Sequence, residues 1–140
     1  MPSKILAAVD GSECAKKAFG TALDFSKEAG ATLCVLVAVQ PLEVIGMRKD
    51  VRGSLEMLIE KDAKVLLAEY ATIAETRGVK AETILVKGHP AKVILDTAKT
   101  KGVDLIVVGS RGIGGVKGLL LGSVSNAVVQ NSKVPIMVVK

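Results

Sequence analysis

Five short runs rich in Val, Ile and Leu, separated by segments with helical periodicity, constrain the fold of this 140-residue chain more than any other feature. Polar residues do not alternate with apolar ones along these runs, which is typical of parallel strands covered by helices on both faces. The runs are Ile5–Val9, Thr32–Val39, Glu82–Val86, Leu105–Val108 and Ile136–Val139. The pattern predicts an α/β fold with an open, doubly wound, five-stranded parallel sheet and helices on both of its faces.

Four helices are predicted in the gaps between the runs, each bounded by residues that favour a helix end. A serine is a favourable N-cap, a proline is favourable in a first turn, and a glycine is a favourable stop. The predicted helices are Ser12 to Gly30, about Ser54 to Arg77, Pro90 to Gly102, and Ser123 to about Asn131.

The inward face of the second helix is predicted from apolar residues that recur at helical spacing. This stripe consists of Leu55, Ile59, Leu66, Tyr70 and Ile73. The segment before the helix, residues 41–53, contains several charged residues without a clear period. A mobile surface loop is therefore predicted there.

A single globular domain over residues 1–140 is predicted, because the length is near the commonest domain size and 24% of the residues are charged. No apolar run reaches the roughly 18 residues that a membrane-spanning helix needs. The first run, Ile5–Val9, is too short for the core of a signal peptide, so a cytoplasmic location is expected. Two cysteines and one histidine, without metal-ligand spacing, predict neither a metal site nor His-based catalysis.

The net charge of +5 arises in the second half of the chain. The first seventy residues have nine basic and ten acidic side chains, whereas the last seventy have ten basic and four acidic ones. A basic half suits an anionic ligand. Nucleic acid is not expected, because Phe19, Phe25 and Tyr70 are the only aromatic residues and provide no platform on which bases could stack.

The first run is followed by Asp10-Gly11-Ser12, at the edge of the sheet where folds of this class bind ligands. Asp10 would hold a carboxylate at this edge, Gly11 would permit a tight turn, and Ser12 would cap the helix. The same tripeptide is also an ordinary turn and helix cap. A binding role and a purely structural role are both open on this evidence.

The fourth run is followed by a glycine-rich segment that leads into the fourth helix. Its glycines are Gly109, Gly112, Gly114, Gly115, Gly118 and Gly122. The backbone N–H groups of such a segment can surround an anion, and a helix N-terminus attracts phosphate through its free N–H groups and its dipole. Ser123 and Ser125 would add hydroxyl groups, and Arg111 and Lys117 would add positive charge. The combination of helix start, hydroxyls and charge therefore favours a phosphate-binding cradle here over the alternative, a flexible glycine loop that binds nothing.

This segment is neither a Walker A loop nor a dinucleotide-binding fingerprint. The pattern GxxxxGK[ST] is absent, and the glycines follow the fourth run instead of the first. A P-loop kinase and a dinucleotide dehydrogenase are therefore not expected. A receiver domain is disfavoured as well, because Val86-Lys87-Gly88 offers no carboxylate to accept a phosphoryl group.

The spacing Gly109-x2-Gly112-x9-Gly122-Ser123 resembles the nucleotide motif G-x2-G-x9-G-[ST] of universal stress proteins. The resemblance extends to the segments KILAAVDGSE, VKGHPAKVILDTAK, VDLIVVGSRG and KVPIMVVK, and it covers essentially the whole chain. It is weak only near residues 40–55. The resemblance implies the strand order 3-2-1-4-5, with the ligand site at strands one and four.

The resemblance also implies which residues contact an adenine nucleotide. Those that would contact the ribose and the adenine are Ala8, Val9, Asp10, Ala38, Val39 and Gly109. Those that would form the phosphate cradle are Gly112, Gly122, Ser123, Val124 and Ser125.

By the same resemblance, the chain is expected to bind ATP, ADP or AMP, with any Mg²⁺ held by the phosphates. It is expected to act as a nucleotide-dependent switch in a stress response, with at most weak ATP hydrolysis and with a protein partner that the sequence does not identify. A homodimer is expected through an edge strand over residues 133–140. The alternative is an ATP-hydrolysing or adenylate-forming enzyme with the chemistry of PP-loop ATPases, which place their glycine loop after the first strand.

Overall fold

The computed structural model describes residues 1–112 and 121–140, which form one five-stranded sheet with helices around it. The strands are β1 (Lys4–Ala8), β2 (Thr32–Val39), β3 (Ala81–Lys87), β4 (Leu105–Gly109) and β5 (Ile136–Val139). Their order is β3-β2-β1-β4-β5, and every neighbouring pair is parallel. The predicted fold class and strand order are confirmed.

The helices cover both faces of the sheet. They are α1 (Glu13–Ala29), α2 (Lys49–Thr76), α3 (Pro90–Lys101) and α4 (Ser123–Asn131). On one face, Phe19 of α1 and Tyr70 of α2 share a core with Val35 of β2. On the other face, Ile94 of α3 and Val128 of α4 share a core with Ile106 of β4. Because the three central strands β2, β1 and β4 are buried on both faces, their apolar runs show no polar alternation.

The predicted ends of α1 and α3 are confirmed. The hydroxyl of Ser12 accepts a hydrogen bond of 3.1 Å from the N–H of Ala15, which caps α1. The two helices end at Gly30 and Gly102, whose φ angles of 64° and 65° lie in the left-handed region that glycine adopts most easily. Because α1 follows β1 and α3 follows β3, both helices begin at the carboxyl edge of the sheet, where the ligand site was predicted.

The second helix begins earlier than predicted. It starts at Lys49 instead of about Ser54, so residues 49–53 of the segment predicted as a loop are helical. Gly53 lies within the helix with open space around it, and one glycine costs a helix only about 1 kcal/mol relative to alanine. Over the two described ranges, no helix, including this long one, is apolar enough to cross a membrane.

The predicted inward stripe of α2 is also largely wrong. Leu55, Ile59 and Ile73 are 37%, 36% and 45% exposed, and of the predicted stripe only Tyr70 is fully buried. The buried residues of the helix are Ala63, Leu67, Tyr70 and Ala74. The helix carries a second apolar stripe on its outer side, formed by Val51, Leu58 and Val65, and helical periodicity alone does not tell which stripe meets the sheet.

Candidate functional site

A cavity of about 380 Å³ lies at the carboxyl edge of the sheet, across the ends of β2, β1 and β4. The chain leaves β1 through α1 toward β2, whereas α3 carries it from β3 to β4 on the other side of β1. Open α/β sheets bind ligands at the crevice where neighbouring connections diverge in this way. The lining residues are Ala8, Val9, Asp10, Ser12, Ala15, Leu36, Ala38, Gln40, Pro90, Ile94, Val108, Gly109, Arg111, Gly112, Gly122, Ser123, Val124 and Ser125.

The fold brings almost all of the predicted site residues to this cavity. Those that line it are Ala8, Val9, Asp10, Ala38, Gly109, Gly112, Gly122, Ser123, Val124 and Ser125. Val39 does not line it, because its side chain is buried in the core under α1 and α2. The carbonyl of Val39 accepts a hydrogen bond of 2.9 Å from the N–H of Gly88, so this carbonyl already has a protein partner.

Several lining residues were not predicted from the sequence. Leu36 and Gln40 share a side of β2 and its extension with Ala38, which strand alternation could have indicated. Pro90 and Ile94 reach the cavity because α3 begins at the same edge of the sheet. That placement depends on the crossover from β3 to β4, for which the local sequence carries no signal.

The start of α4 is fixed against the end of β4 by hydrogen bonds to Ser110. The carbonyl of Ser110 accepts from the N–H of Gly122 at 2.6 Å and from the hydroxyl of Ser125 at 2.8 Å. Ser110 and Ser125 are both buried. The hydroxyl of Ser125, predicted as a donor to phosphate, is therefore engaged by the protein. The backbone N–H groups of the first turn and the hydroxyl of Ser123 are then the candidate donors of α4 at this end of the cavity.

The N-terminus of α4 differs from that of α1 in the features that decide whether an anion can bind. At α1, the Ser12 hydroxyl caps the helix and Glu13 contributes negative charge to the first turn. At α4, no side chain forms a cap hydrogen bond, and the first turn contains no acidic residue. The first N–H groups of a helix have no acceptor within the helix, and its dipole makes this end positive. The α4 end is thus the better anion-binding end of the cavity.

Asp10 lies between the two ends of the cavity, directly after β1. Its Oδ1 accepts a hydrogen bond of 2.8 Å from the N–H of Ser12. Gly112 lies so close that a Cβ atom on it would be 2.7 Å from Asp10 Oδ2. The absence of a side chain at Gly112 therefore lets the segment after β4 approach the carboxylate.

The other two glycines of the motif have different neighbours. A Cβ atom on Gly109 would be 2.9 Å from the backbone carbon of Cys14 in α1, so glycine permits α1 to pack closely on β4. A Cβ atom on Gly122 would be 3.4 Å from the carbonyl oxygen of Ser110. Gly109 thus serves the packing of α1, whereas Gly122 serves the contact between β4 and α4.

Tyr70 contacts the site from the hydrophobic core, through the backbone of Asp10. Its hydroxyl donates a hydrogen bond of 3.0 Å to the carbonyl of Asp10, and its ring meets Phe19 edge to face at 4.7 Å between centroids. Burial, followed by the nearby charge of Asp10, raises the pKa of Tyr70 to about 12. The sequence predicted Tyr70 as a core residue only, since its contact with Asp10 spans sixty positions of the chain.

The cavity changes in character from one side to the other. At β2 it is formed by apolar groups, including Leu36 and Ala38, whereas at β4 it contains Arg111 and the uncapped start of α4.

The predicted cradle residues Gly114, Gly115, Lys117 and Gly118 lie outside the described residues. Within the described part of the chain, no group of three or more His, Cys, Asp or Glu side chains could hold a metal ion.

The chain matches the model of the Universal stress protein family over residues 1–140. It is 38% identical to the universal stress protein YxiE of Bacillus subtilis, with the alignment covering 100% of each chain. The solved structure of universal stress protein UspA from Lactobacillus plantarum superimposes with a TM-score of 0.87, at 25% identity and with 99% of this chain and 97% of that chain covered.

Two further structures were solved with nucleotides. One is a universal stress protein in complex with cAMP, with a TM-score of 0.77, 26% identity, and coverage of 99% of this chain and 97% of that chain. The other is the universal stress protein from Archaeoglobus fulgidus in complex with dAMP, with a TM-score of 0.73, 25% identity, and coverage of 98% and 97%. The full-length match to the family model and the identity to YxiE lead to one conclusion: the chain belongs to the universal stress protein family.

Proposed function

We propose that this protein binds adenine nucleotides, ATP foremost, and acts as a nucleotide-dependent regulatory switch. The observation that carries the proposal is the uncapped, acid-free N-terminus of α4, held at one end of a cavity whose other end is apolar. The nucleotides bound by two structural neighbours support the same assignment. A cavity of about 380 Å³ is within the range of small-molecule sites.

The proposed pose follows the order of the strands. The phosphates bind the N–H groups of Ser123, Val124 and Ser125, and the Ser123 hydroxyl adds a further donor. Asp10, at the end of β1, accepts hydrogen bonds from the ribose hydroxyls. The adenine lies against Ala8 and the apolar end of β2. Any Mg²⁺ is held by the phosphates themselves, because the described residues provide no cluster of metal ligands.

In this proposal, hydrolysis of ATP is at most weak. Attack of water on a phosphate is assisted by a general base within hydrogen-bond reach. Among the described cavity residues, Asp10 is the only carboxylate, and it lies on the ribose side with Oδ1 bonded to the N–H of Ser12. The sole histidine, His89, occupies the N-cap position of α3 without a side-chain cap hydrogen bond, and it does not line the cavity. Binding, rather than turnover, would carry the regulatory signal.

The switch acts in the cytoplasm as a homodimer paired through β5, and it signals to a protein partner. β5 lies at the edge of the sheet and pairs only with β4 within the described residues, so its outer backbone groups are available to another strand.

The double variant Gly122→Val, Ser123→Ala tests the phosphate-binding end. The valine crowds the Ser110 carbonyl, and the alanine removes the hydroxyl of the first turn. We expect a loss of ATP affinity of at least about tenfold by calorimetric titration, since one charge-assisted hydrogen bond contributes about 1.5–3 kcal/mol.

The matched control is Gly53→Val with Ser54→Ala, a glycine–serine pair on α2 remote from the cavity, where Gly53 has open space around it. The control should keep the wild-type affinity. An unchanged affinity in the α4 variant, with an intact fold by circular dichroism, would refute the assigned phosphate site.

A further inference from the structure

The β2 end of the cavity combines apolar walls with a single carboxamide. The walls are formed by Leu36 and Ala38 of β2 and by Pro90 and Ile94 of α3. Gln40, placed directly after β2, is the only residue lining this end, among those described, whose side chain has hydrogen-bonding groups. A base bound at this end would therefore meet one side chain capable of polar recognition.

The other polar residues of the cavity lie at β1 or β4, and most are occupied by the protein. The carboxylate of Asp10 accepts from the N–H of Ser12, and the hydroxyl of Ser12 accepts from the N–H of Ala15. The hydroxyl of Ser125 donates to the carbonyl of Ser110. Gln40, in contrast, is exposed and forms no side-chain hydrogen bond with the described residues.

We propose that Gln40 is the residue that recognises the base and selects 6-aminopurines. This inference rests on the proposed function, since it places the base at β2 and the phosphates at α4. A carboxamide presents one acceptor and one donor side by side. The exocyclic amino group of adenine and its neighbouring ring nitrogen present the complementary donor and acceptor, which is the pairing that Asn and Gln form with adenine elsewhere.

The apolar surroundings strengthen the selection. In a site lined by Leu36, Ala38 and Ile94, a polar edge of the base that finds no partner loses its hydrogen bonds to water without replacement. A purine without the amino group would leave the Gln40 carbonyl without a donor. Sites that hydrogen-bond a ligand group discriminate against the analogue that lacks it, and here the discrimination is modest, because water can reach the exposed Gln40 side chain in place of the amino group.

The test compares ATP with purine riboside triphosphate, which is the same molecule without the 6-amino group. Calorimetric titration of the wild-type protein should show a preference for ATP of about tenfold, the size typical of one base-reading pair. The variant Gln40→Met keeps the length of the side chain and removes its hydrogen bonds. We expect this variant to bind the two triphosphates with nearly equal affinity, close to that of the wild type for purine riboside triphosphate.

Gln130→Met is the matched control, because Gln130 is the only other glutamine and lies exposed near the end of α4. It should keep the wild-type preference. Gln40→Ala provides a second variant if Gln40→Met unfolds. A Gln40 variant that retains the preference for ATP, or whose affinities for the two triphosphates fall by the same factor, would overturn the role of Gln40. A wild-type protein that binds neither triphosphate would instead contradict the proposed function, which separates the two failures.

Discussion

At the scale of single residues, the motif glycines differ in the kind of neighbour that each one admits. Gly109 faces the backbone of α1, which cannot move without disturbing the core. Gly112 faces the end of a side chain, the carboxylate of Asp10, which can rotate. One motif therefore contains a glycine required for packing and a glycine required for the geometry of the cavity.

The substitutions Gly109→Ala and Gly112→Ala should separate these two roles. The added methyl group of Gly109→Ala pushes α1 away from β4. This overpacking should lower the free energy of unfolding by about 1–3 kcal/mol. Gly112→Ala should leave stability almost unchanged and weaken ATP binding, because it displaces the Asp10 carboxylate. Urea unfolding and calorimetric titration measure the two effects. A Gly112→Ala variant with full ATP affinity, or a Gly109→Ala variant as stable as the wild type, would contradict this assignment.

At the scale of elements, Tyr70 connects α2 to the end of β1. Its hydroxyl donates to the carbonyl of Asp10, and its ring lies against Phe19 of α1. The helix that carries the outer apolar stripe is thus joined by one partly buried hydrogen bond to the segment that holds the cavity carboxylate.

The raised pKa of Tyr70 predicts a stability change at high pH. In the folded protein the pKa of Tyr70 is about 12, against an ordinary value of 10.0. The stabilising contribution is fully present below pH 10, and it declines as the pH rises from about 10 to 12, because the unfolded chain then loses its proton more readily. Tyr70→Phe should reduce this decline. Tyr70 is the only tyrosine and the chain has no tryptophan, so ultraviolet absorbance of tyrosinate reports this one group. An apparent pKa near 10 in the folded state would contradict the predicted environment.

The elements that the sequence predicted well are those whose signals are local. The apolar runs, the Ser12 cap and the stops at Gly30 and Gly102 each depend on a few neighbouring residues, and they lie where expected. The inward face of α2 was not predictable, because it depends on which of two apolar stripes the sheet covers. Gln40 could have been inferred from its strand alternation with Ala38, whereas Pro90 and Ile94 reach the cavity only through the crossover from β3 to β4.

At the scale of the whole molecule, the proposed dimer places the outer edge of β5, which pairs with no second strand among the described residues, against a second copy. The carbonyls of Pro135 and Val139 accept hydrogen bonds from the N–H groups of Ile106 and Ser110 at 3.0 and 2.8 Å. Backbone groups alternate in direction along a strand, so those of Ile136 and Val138 face the open side. These groups are the ones a second β5 strand would pair with.

Val138→Pro should convert the expected dimer to a monomer. Proline removes the outward N–H, and it is tolerated at an edge position that donates no hydrogen bond within the sheet. Val138→Ala is the matched control, since it shortens the side chain and keeps the N–H, and it should remain dimeric. Sedimentation velocity distinguishes the two states. A wild-type protein that is monomeric at micromolar concentration, or a proline variant that stays dimeric, would refute pairing through β5.

In the proposed complex, the first N–H groups of α4 bind the phosphates of an adenine nucleotide. The most direct measurement follows the amide resonances of the nucleotide-free protein during titration with ATP and, separately, with adenosine. ATP should shift the amides of Ser123, Val124 and Ser125 strongly, whereas adenosine should shift residues near β2 and leave these three almost unchanged. Equal shifts at α4 with both ligands, or no shift there with saturating ATP, would contradict phosphate binding at α4.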